Sequence, residues 1–227
     1  MKEPAARRSQ PRGVWIALFG PDGVGKSTVI EELKVQLGAS FAAVIQFHFR
    51  PMFGRKRADR PVTNPHGQPP RGRFISLIKL IYWLLDCWCG YLFVIRPGLR
   101  RARLGILDRY YPDILVDPLR YRLPPSSHCF ARRLVALAPR PDLSILLEAP
   151  IEVIRHRKSE VSAAESQRQQ VSYRTMFQSI PGSLIVNTNC PAEQAAQRIC
   201  AAVQARLSPT EVEEQESPPC KLVTWRN

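Results

Sequence analysis

Nine consecutive residues constrain the fold of this chain more than any others: Gly20-Pro21-Asp22-Gly23-Val24-Gly25-Lys26-Ser27-Thr28. They fit the phosphate-binding pattern G-x-x-x-x-G-K-S/T, and they lie where such a loop must lie. Ahead of them, Val14-Trp15-Ile16-Ala17-Leu18-Phe19 reads as a short buried strand. Behind them, Ile30, Leu33 and Leu37 recur at helical spacing. Gly20, Gly23 and Gly25 permit a tight turn and let backbone N–H groups approach phosphate oxygens closely. The helix start at Lys26 turns its positive dipole end toward the anion. The Lys26 ammonium reaches β- and γ-phosphates, and the Ser27 hydroxyl suits Mg2+. Asp22, Val24 and Thr28 complete the stretch expected to hold ATP.

The remaining chain repeats the alternation of apolar runs and helical periods. Strands are expected at 43–49, ended by Arg50-Pro51, and at 104–107, 143–147 and 183–186. Helices are expected at 74–95, 127–138, 151–157, 162–178 and 192–207. Five apolar strands alternating with helices predict an α/β fold, a P-loop three-layer sandwich with a five-stranded parallel sheet covered by helices on both faces. Functional residues then gather at the carboxyl ends of the strands. The glycine loop, Arg50, Asp108-Arg109, the basic run after residue 150 and Asn187-Thr188 all follow strand ends.

The chain has 227 residues, 44% of them hydrophobic, which suits one cored domain over 13–207. Residues 1–12 read as a flexible arm and 208–227 as a flexible Pro/Glu-rich tail. The Pro-, Gly- and Arg-rich segment 52–73 reads as a flap over the acceptor pocket or as plain disorder. Thirty-three Lys and Arg against 19 Asp and Glu give a net charge of +14, which draws polyanions. No nucleic-acid-binding module accompanies that charge, so no specific nucleic-acid partner is expected. The six cysteines form no C-x-x-C pair and read as reduced cytosolic thiols, and the four histidines are scattered. The first 12 residues are basic without a secretory apolar core behind them, so the expected location is cytoplasmic.

Residues 74–95 are apolar over a membrane-like length, yet Lys79 and Asp86 interrupt them. Lys79, Tyr82, Trp83 and Asp86 share one helix face, so the segment reads as a buried core helix with a polar face on a cleft rather than a transmembrane span. Asp86 is then a candidate acceptor contact, or half of a structural pairing with Lys79.

Asp108, after an apolar strand, is placed to hold Mg2+ or to accept a proton from an attacking hydroxyl, and Arg109 to clamp phosphate. Arg155-His156-Arg157-Lys158, followed by Arg168 and Arg174, reads as a basic lid over about 153–175, with Arg157 and Lys158 as candidates to stabilise the charge of phosphoryl transfer. Asn187-Thr188 is positioned to meet a purine edge.

These residues carry a family resemblance over residues 13–207. The glycine loop with Asp22 inside it resembles that of thymidylate kinase, and Asp108-Arg109-Tyr110 is similar to that family's D-R-Y/H signature. Arg50-Pro51 resembles the position of its acceptor-binding arginine, and the basic run at 155–168 its lid. The resemblance implies that Lys26 and the loop amides hold ATP, that Ser27 holds Mg2+, and that Asp22 faces the acceptor sugar or hydroxyl. It implies further that Arg50 and Arg109 meet the acceptor phosphate, and that Asn187-Thr188 lies near adenine.

Two departures keep the acceptor open. The family's R-E-P-G-G is here Arg50-Pro51-Met52, and the segment 108–122 resembles thymidylate-kinase-like proteins found among bacterial surface-polysaccharide genes. Asp113, Asp117, Arg120 and Arg122 either define a different acceptor or pin a turn before Pro118. The expected activity is ATP- and Mg2+-dependent phosphoryl transfer to a small molecule, either a nucleoside monophosphate or a sugar or other hydroxyl compound. A non-catalytic nucleotide-binding regulator is the alternative class, and a basic binder of nucleic acid or membrane surfaces a third. Oligomeric state is open, a homodimer among the states allowed.

Overall fold

The computed structural model describes residues 12–49, 69–157 and 163–207. The expected N-terminal arm apart from Arg12, Arg50, most of the expected flap, Lys158 and the C-terminal tail lie outside the described residues. The first half of the fold runs β1 (Val14–Phe19), α1 (Lys26–Gly38), β2 (Ala43–His48), α2 (Arg73–Gly90), a π-helical turn (Tyr91–Ile95), α3 (Arg96–Leu99) and β3 (Arg103–Asp108). The second runs α4 (Asp113–Val116), α5 (His128–Ala136), β4 (Leu143–Glu148), α6 (Ile151–Arg157), α7 (Ala163–Gln178), β5 (Leu184–Asn187) and α8 (Ala192–Leu207).

Every residue of β1 is buried, and strand alternation sorts the six side chains onto two faces. Val14, Ile16 and Leu18 join a core with Ile30, Leu33 and Leu37 of α1 and with Ala196, Ile199 and Val203 of α8. Trp15, Ala17 and Phe19 join the opposite core with Leu80 and Trp83 of α2, Leu134 of α5 and Phe177 of α7. A strand buried on both faces needs an unbroken apolar run, which is what β1 supplies. The five strands pair in the order β2-β3-β1-β4-β5, all parallel. The fold is therefore the expected α/β three-layer sandwich.

Three local features differ from the sequence reading. Strand β2 ends at His48 rather than 49, because Phe49 turns into the left-handed region with φ 57° before Pro51 is reached. The helix begun by α2 does not end at 95 but passes through the π-helical turn to Leu99. It is also not a buried core helix. Leu80, Trp83, Asp86 and Cys87 face the protein body, whereas Phe74, Ile78, Ile81, Leu85 and Leu92 are exposed. Among the described residues, Arg73–Leu99 is the one helix long and apolar enough to cross a membrane, with a mean hydropathy of 1.6 over its most apolar stretch. Its inner side is part of the second core, so it serves here as an outer-layer helix.

Candidate active site

The site is built where β1 and β3 end side by side. Their register pairs Leu18 with Asp108, so the glycine loop leaves β1 beside the Asp108-Arg109 turn. Gly20, at φ 143°, could not carry a side chain, because a Cβ there would stand 2.7 Å from the Leu147 carbonyl oxygen. Gly25, at φ 98°, ends the loop and caps α1. The buried Lys26 side chain folds back over the loop, its Nζ donating to the carbonyls of Gly20 at 2.7 Å and Pro21 at 2.9 Å. Burial, with Arg109 nearby, draws the Lys26 ammonium down to about 7 against the opposing pull of Asp22, Asp108 and Asp113. Ser27 and Thr28 are exposed at the start of α1.

Asp22 lies between two guanidiniums. Arg109 Nη2 donates to its Oδ1, and Arg120 Nη1 donates to its Oδ2 at 2.6 Å. Burial alone would raise the Asp22 carboxyl, but Arg109, Arg120 and Lys26 outweigh it and hold the group well below the usual carboxylate range. Arg109 is itself buried and adopts φ 66°, with its N–H donating to the Leu18 carbonyl at 3.0 Å. Its Nη1 donates to Asp113 Oδ2 at 2.7 Å and to Tyr173 Oη at 3.3 Å. A left-handed non-glycine residue persists only where its surroundings over-determine it, as these contacts do.

The segment after Asp108-Arg109 both pins turns and reaches the site. Asp113 is fully buried and accepts from Arg109, Tyr121 and Tyr173. Asp117 accepts from the Arg120 backbone N–H at 3.1 Å and from Gln169 of α7 at 3.2 Å. That arrangement aims Arg120 at Asp22. Arg122 instead donates to the Pro69 carbonyl, ahead of α2. Phe49, Trp83 and Tyr121 form one aromatic cluster, Phe49 stacking on Tyr121 at 4.9 Å. The sequence left the role of Arg120 open, because its partner stands 98 residues away.

The Asp108 carboxylate is divided between two environments. His48 Nδ1 lies 3.2 Å from Oδ2, whereas Oδ1 is buried without a hydrogen-bond partner among the described residues. Burial would raise this carboxyl, but the His48 hydrogen bond, then Lys26 and Arg109, hold it below its ordinary value. Among the described residues no group of three or more His, Cys, Asp or Glu could cage a metal. An orphaned carboxylate oxygen at the end of β3 and an exposed hydroxyl, that of Ser27, at the start of α1 nevertheless suit Mg2+, which is held by one or two side chains together with substrate phosphates and water.

On the other side of the loop, Gly25, Thr28, Val29, Arg157, Thr188, Cys190 and Ala192 line a cavity of about 250 Å3. Arg157 reaches over it toward the carbonyls of Val24 and Thr188. Thr188, not Asn187, meets the loop: its Oγ1 donates to the Val24 carbonyl at 2.7 Å. Asn187 is exposed, and its Oδ1 accepts from the Asn189 N–H in a local turn. Two further basic residues of the expected lid, Arg168 and Arg174, have partners of their own. Arg168 pairs with Glu165 and donates to the Val116 carbonyl, and Arg174 pairs with Glu148. Asp86 is buried on the body side of α2, so it is enclosed rather than open to the cleft.

A parallel sheet whose glycine loop, buried lysine, arginine-flanked carboxylates and adjoining cavity share one edge defines a P-loop phosphotransferase. No protein-family model matches the chain. It is 30% identical over 214 residues to the thymidylate kinase of Xanthomonas euvesicatoria pv. vesicatoria, covering 88% of each chain. It is 28% identical over 209 residues to the thymidylate kinase of Xanthomonas campestris pv. campestris, covering 87% of this chain and 86% of that one. The thymidylate kinase of Candida albicans has the same fold, with a TM-score of 0.62 at 18% identity over 87% of this chain and 93% of that one. The chain belongs to the thymidylate kinase family and is a nucleotide kinase.

Proposed function

We propose that the protein transfers the γ-phosphoryl group of Mg2+-ATP to the phosphate of a nucleoside monophosphate. The observation that carries this reading is Lys26 and the Arg109–Arg120 pair meeting around Asp22, which sets phosphate-binding cations on both the donor and the acceptor side of one carboxylate. The loop amides and Lys26 hold the donor phosphates, and the cavity under Arg157 takes adenine. Lys26 exchanges its two loop carbonyls for phosphate oxygens when the donor arrives. Arg109 and Arg120 orient the acceptor phosphate, and Asp22 accepts from an acceptor hydroxyl. Ser27 and Asp108 would hold Mg2+, which when bound supplies neutralisation of the charge on the transferring group. Positioning and charge compensation carry the rate, with no covalent chemistry asked of the protein. One kinase domain spans 13–207, and 153–175 closes over the donor as a lid.

The test is mass spectrometry of products after incubation with Mg2+-ATP and a panel of nucleosides, nucleoside monophosphates and sugars. A nucleoside diphosphate formed from a monophosphate is the expected product. A phosphorylated sugar with monophosphates untouched would reassign the acceptor. ATP binding with no phosphorylated product would leave a nucleotide-binding regulator.

The same reading extends to assembly as a homodimer. Phe74, Ile78, Ile81, Leu85, Trp88 and Leu92 are all exposed, and their spacing of 4-3-4-3-4 draws one seam along the helix of α2 and its π-helical extension. A sustained seam of that period matches another helix rather than lipid, which wants apolar residues all round. The same face of a second copy, related by a twofold axis, supplies that helix. Light scattering after gel filtration is expected to give twice the chain mass for the wild type and one chain mass for Ile78→Glu/Leu85→Glu. A monomeric wild type at micromolar concentration would exclude the dimer.

A further inference from the structure

Beside Asp108 stands one further ring, that of His48. His48 ends β2, and the β2–β3 register sets it directly opposite Asp108. The next residue, Phe49, fixes that end of the strand: it turns left-handed at φ 57°, its N–H donates to the Asp108 carbonyl at 3.0 Å, and its ring stacks on Tyr121. The imidazole is thereby held at a defined place on the edge strand. Its Nδ1 stands 3.2 Å from Asp108 Oδ2, and the His48 side chain is otherwise open, 59% exposed.

The rotation of an aspartate carboxylate about χ2 is soft and close to twofold, so either oxygen could face the centre unless one is held. Here one is held, and the other, Oδ1, is buried with no partner among the described residues. A carboxylate only accepts, so the contact has a single polarity: Nδ1–H donates and Oδ2 accepts. We propose that His48 is a positioning residue, which by engaging Oδ2 fixes the Asp108 carboxylate and leaves Oδ1 for the divalent cation of the transfer centre. The proposal rests on the phosphotransferase reading for its catalytic consequence, but the carboxylate it positions is defined by geometry alone. An edge-strand histidine is otherwise free to vary with solvent, whereas an outer partner that orients a metal-binding carboxylate typically contributes tenfold to a hundredfold in cation affinity or activity.

The experiment compares His48→Ala with His48→Asn, whose side-chain amide can donate to Oδ2 from nearly the place of Nδ1. Both are expected to fold, since the residue is largely exposed, with melting temperatures within about 3 °C of wild type. His48→Ala is expected to lower kcat about tenfold while KM for ATP moves by less than about threefold, and His48→Asn to recover most of the loss. A second readout needs no turnover. Binding of Mn2+ to the protein–ADP complex, followed by the paramagnetic resonance of free Mn2+, is expected to weaken about tenfold in His48→Ala and to return in His48→Asn. Wild-type kcat in His48→Ala, equal losses in both variants, or unchanged Mn2+ affinity would each overturn the proposal. If the wild type phosphorylates no acceptor, the kinase reading fails, while the Mn2+ comparison still decides the role of His48.

Discussion

Lys26→Met is expected to lower kcat by about 10³-fold or more while the protein stays folded. Lys26 is only 8% exposed, and its ammonium is satisfied by two loop carbonyls rather than by an anion. Burial therefore disfavours the charge, and the group falls to about 7. A triphosphate supplies the anion the site lacks, and the negative charge that develops in transfer supplies more of it. Methionine keeps much of the apolar stem and removes the ammonium, so the melting temperature should stay within a few degrees. The same displacement predicts proton linkage. At pH 8 a group near 7 is about 10% protonated, and bound phosphates raise it, so ATP binding should take up about 0.9 proton. The complex then binds more protons than the free protein, so affinity falls as pH rises above 7, by at most about tenfold per unit, until the bound-state value is passed. Calorimetry in buffers of different ionisation enthalpy reads the uptake directly, and Lys26→Met should abolish it. A folded Lys26→Met enzyme with kcat within tenfold of wild type would remove Lys26 from the mechanism.

What could be read from the sequence divides along the range of the interactions. The donor loop is legible because its chemistry is local: glycine spacing, a lysine at a helix start and apolar strands on either side are all written within 25 residues of one another. The five strands are legible for a related reason, since a strand buried on both faces must be apolar throughout. Contacts that depend on register were not legible. His48 meets Asp108 across 60 residues, and Arg120 meets Asp22 across 98, through a turn whose geometry is set by Asp117 and Gln169. Within the Asn187-Thr188 pair that the sequence offers for a purine edge, residue order does not say which side chain faces the loop; the sheet turns Thr188 to it and leaves Asn187 to its own turn. The helix over 73–99 marks a different limit. Apolar composition says that a face must be covered, but not whether the cover comes from the same chain. Here Leu80 and Trp83 are covered from within, and the seam from Phe74 to Leu92 is not.

Asp113→Ala is expected to be the most destabilising single substitution in the site, costing about 3–5 kcal/mol. The carboxylate is fully buried and serves as acceptor for Arg109 at 2.7 Å, Tyr121 at 2.8 Å and Tyr173. Removing it leaves two buried hydroxyls to find new partners and a buried guanidinium with only Asp22 as counter-ion. For a chain of 227 residues, about 2–4 °C accompany each kcal/mol, so the melting temperature should fall by roughly 6–20 °C. Arg109→Leu is expected to cost somewhat less, because the buried Asp113 carboxylate that loses its counter-ion keeps the Tyr121 and Tyr173 hydroxyls as donors. The double variant should then be more stable than the sum of the single losses predicts, with a coupling of about 2–3 kcal/mol in a double-mutant cycle. Tyr173 belongs to α7, so the loss also loosens the attachment of that helix to the acceptor side. In whatever fraction remains folded, KM for the acceptor should rise more than KM for ATP, since Arg109 faces the former through Asp22. A melting temperature within 2 °C of wild type for Asp113→Ala, or additive losses in the cycle, would show that the Arg109–Asp113 contact is not what holds this side of the site together.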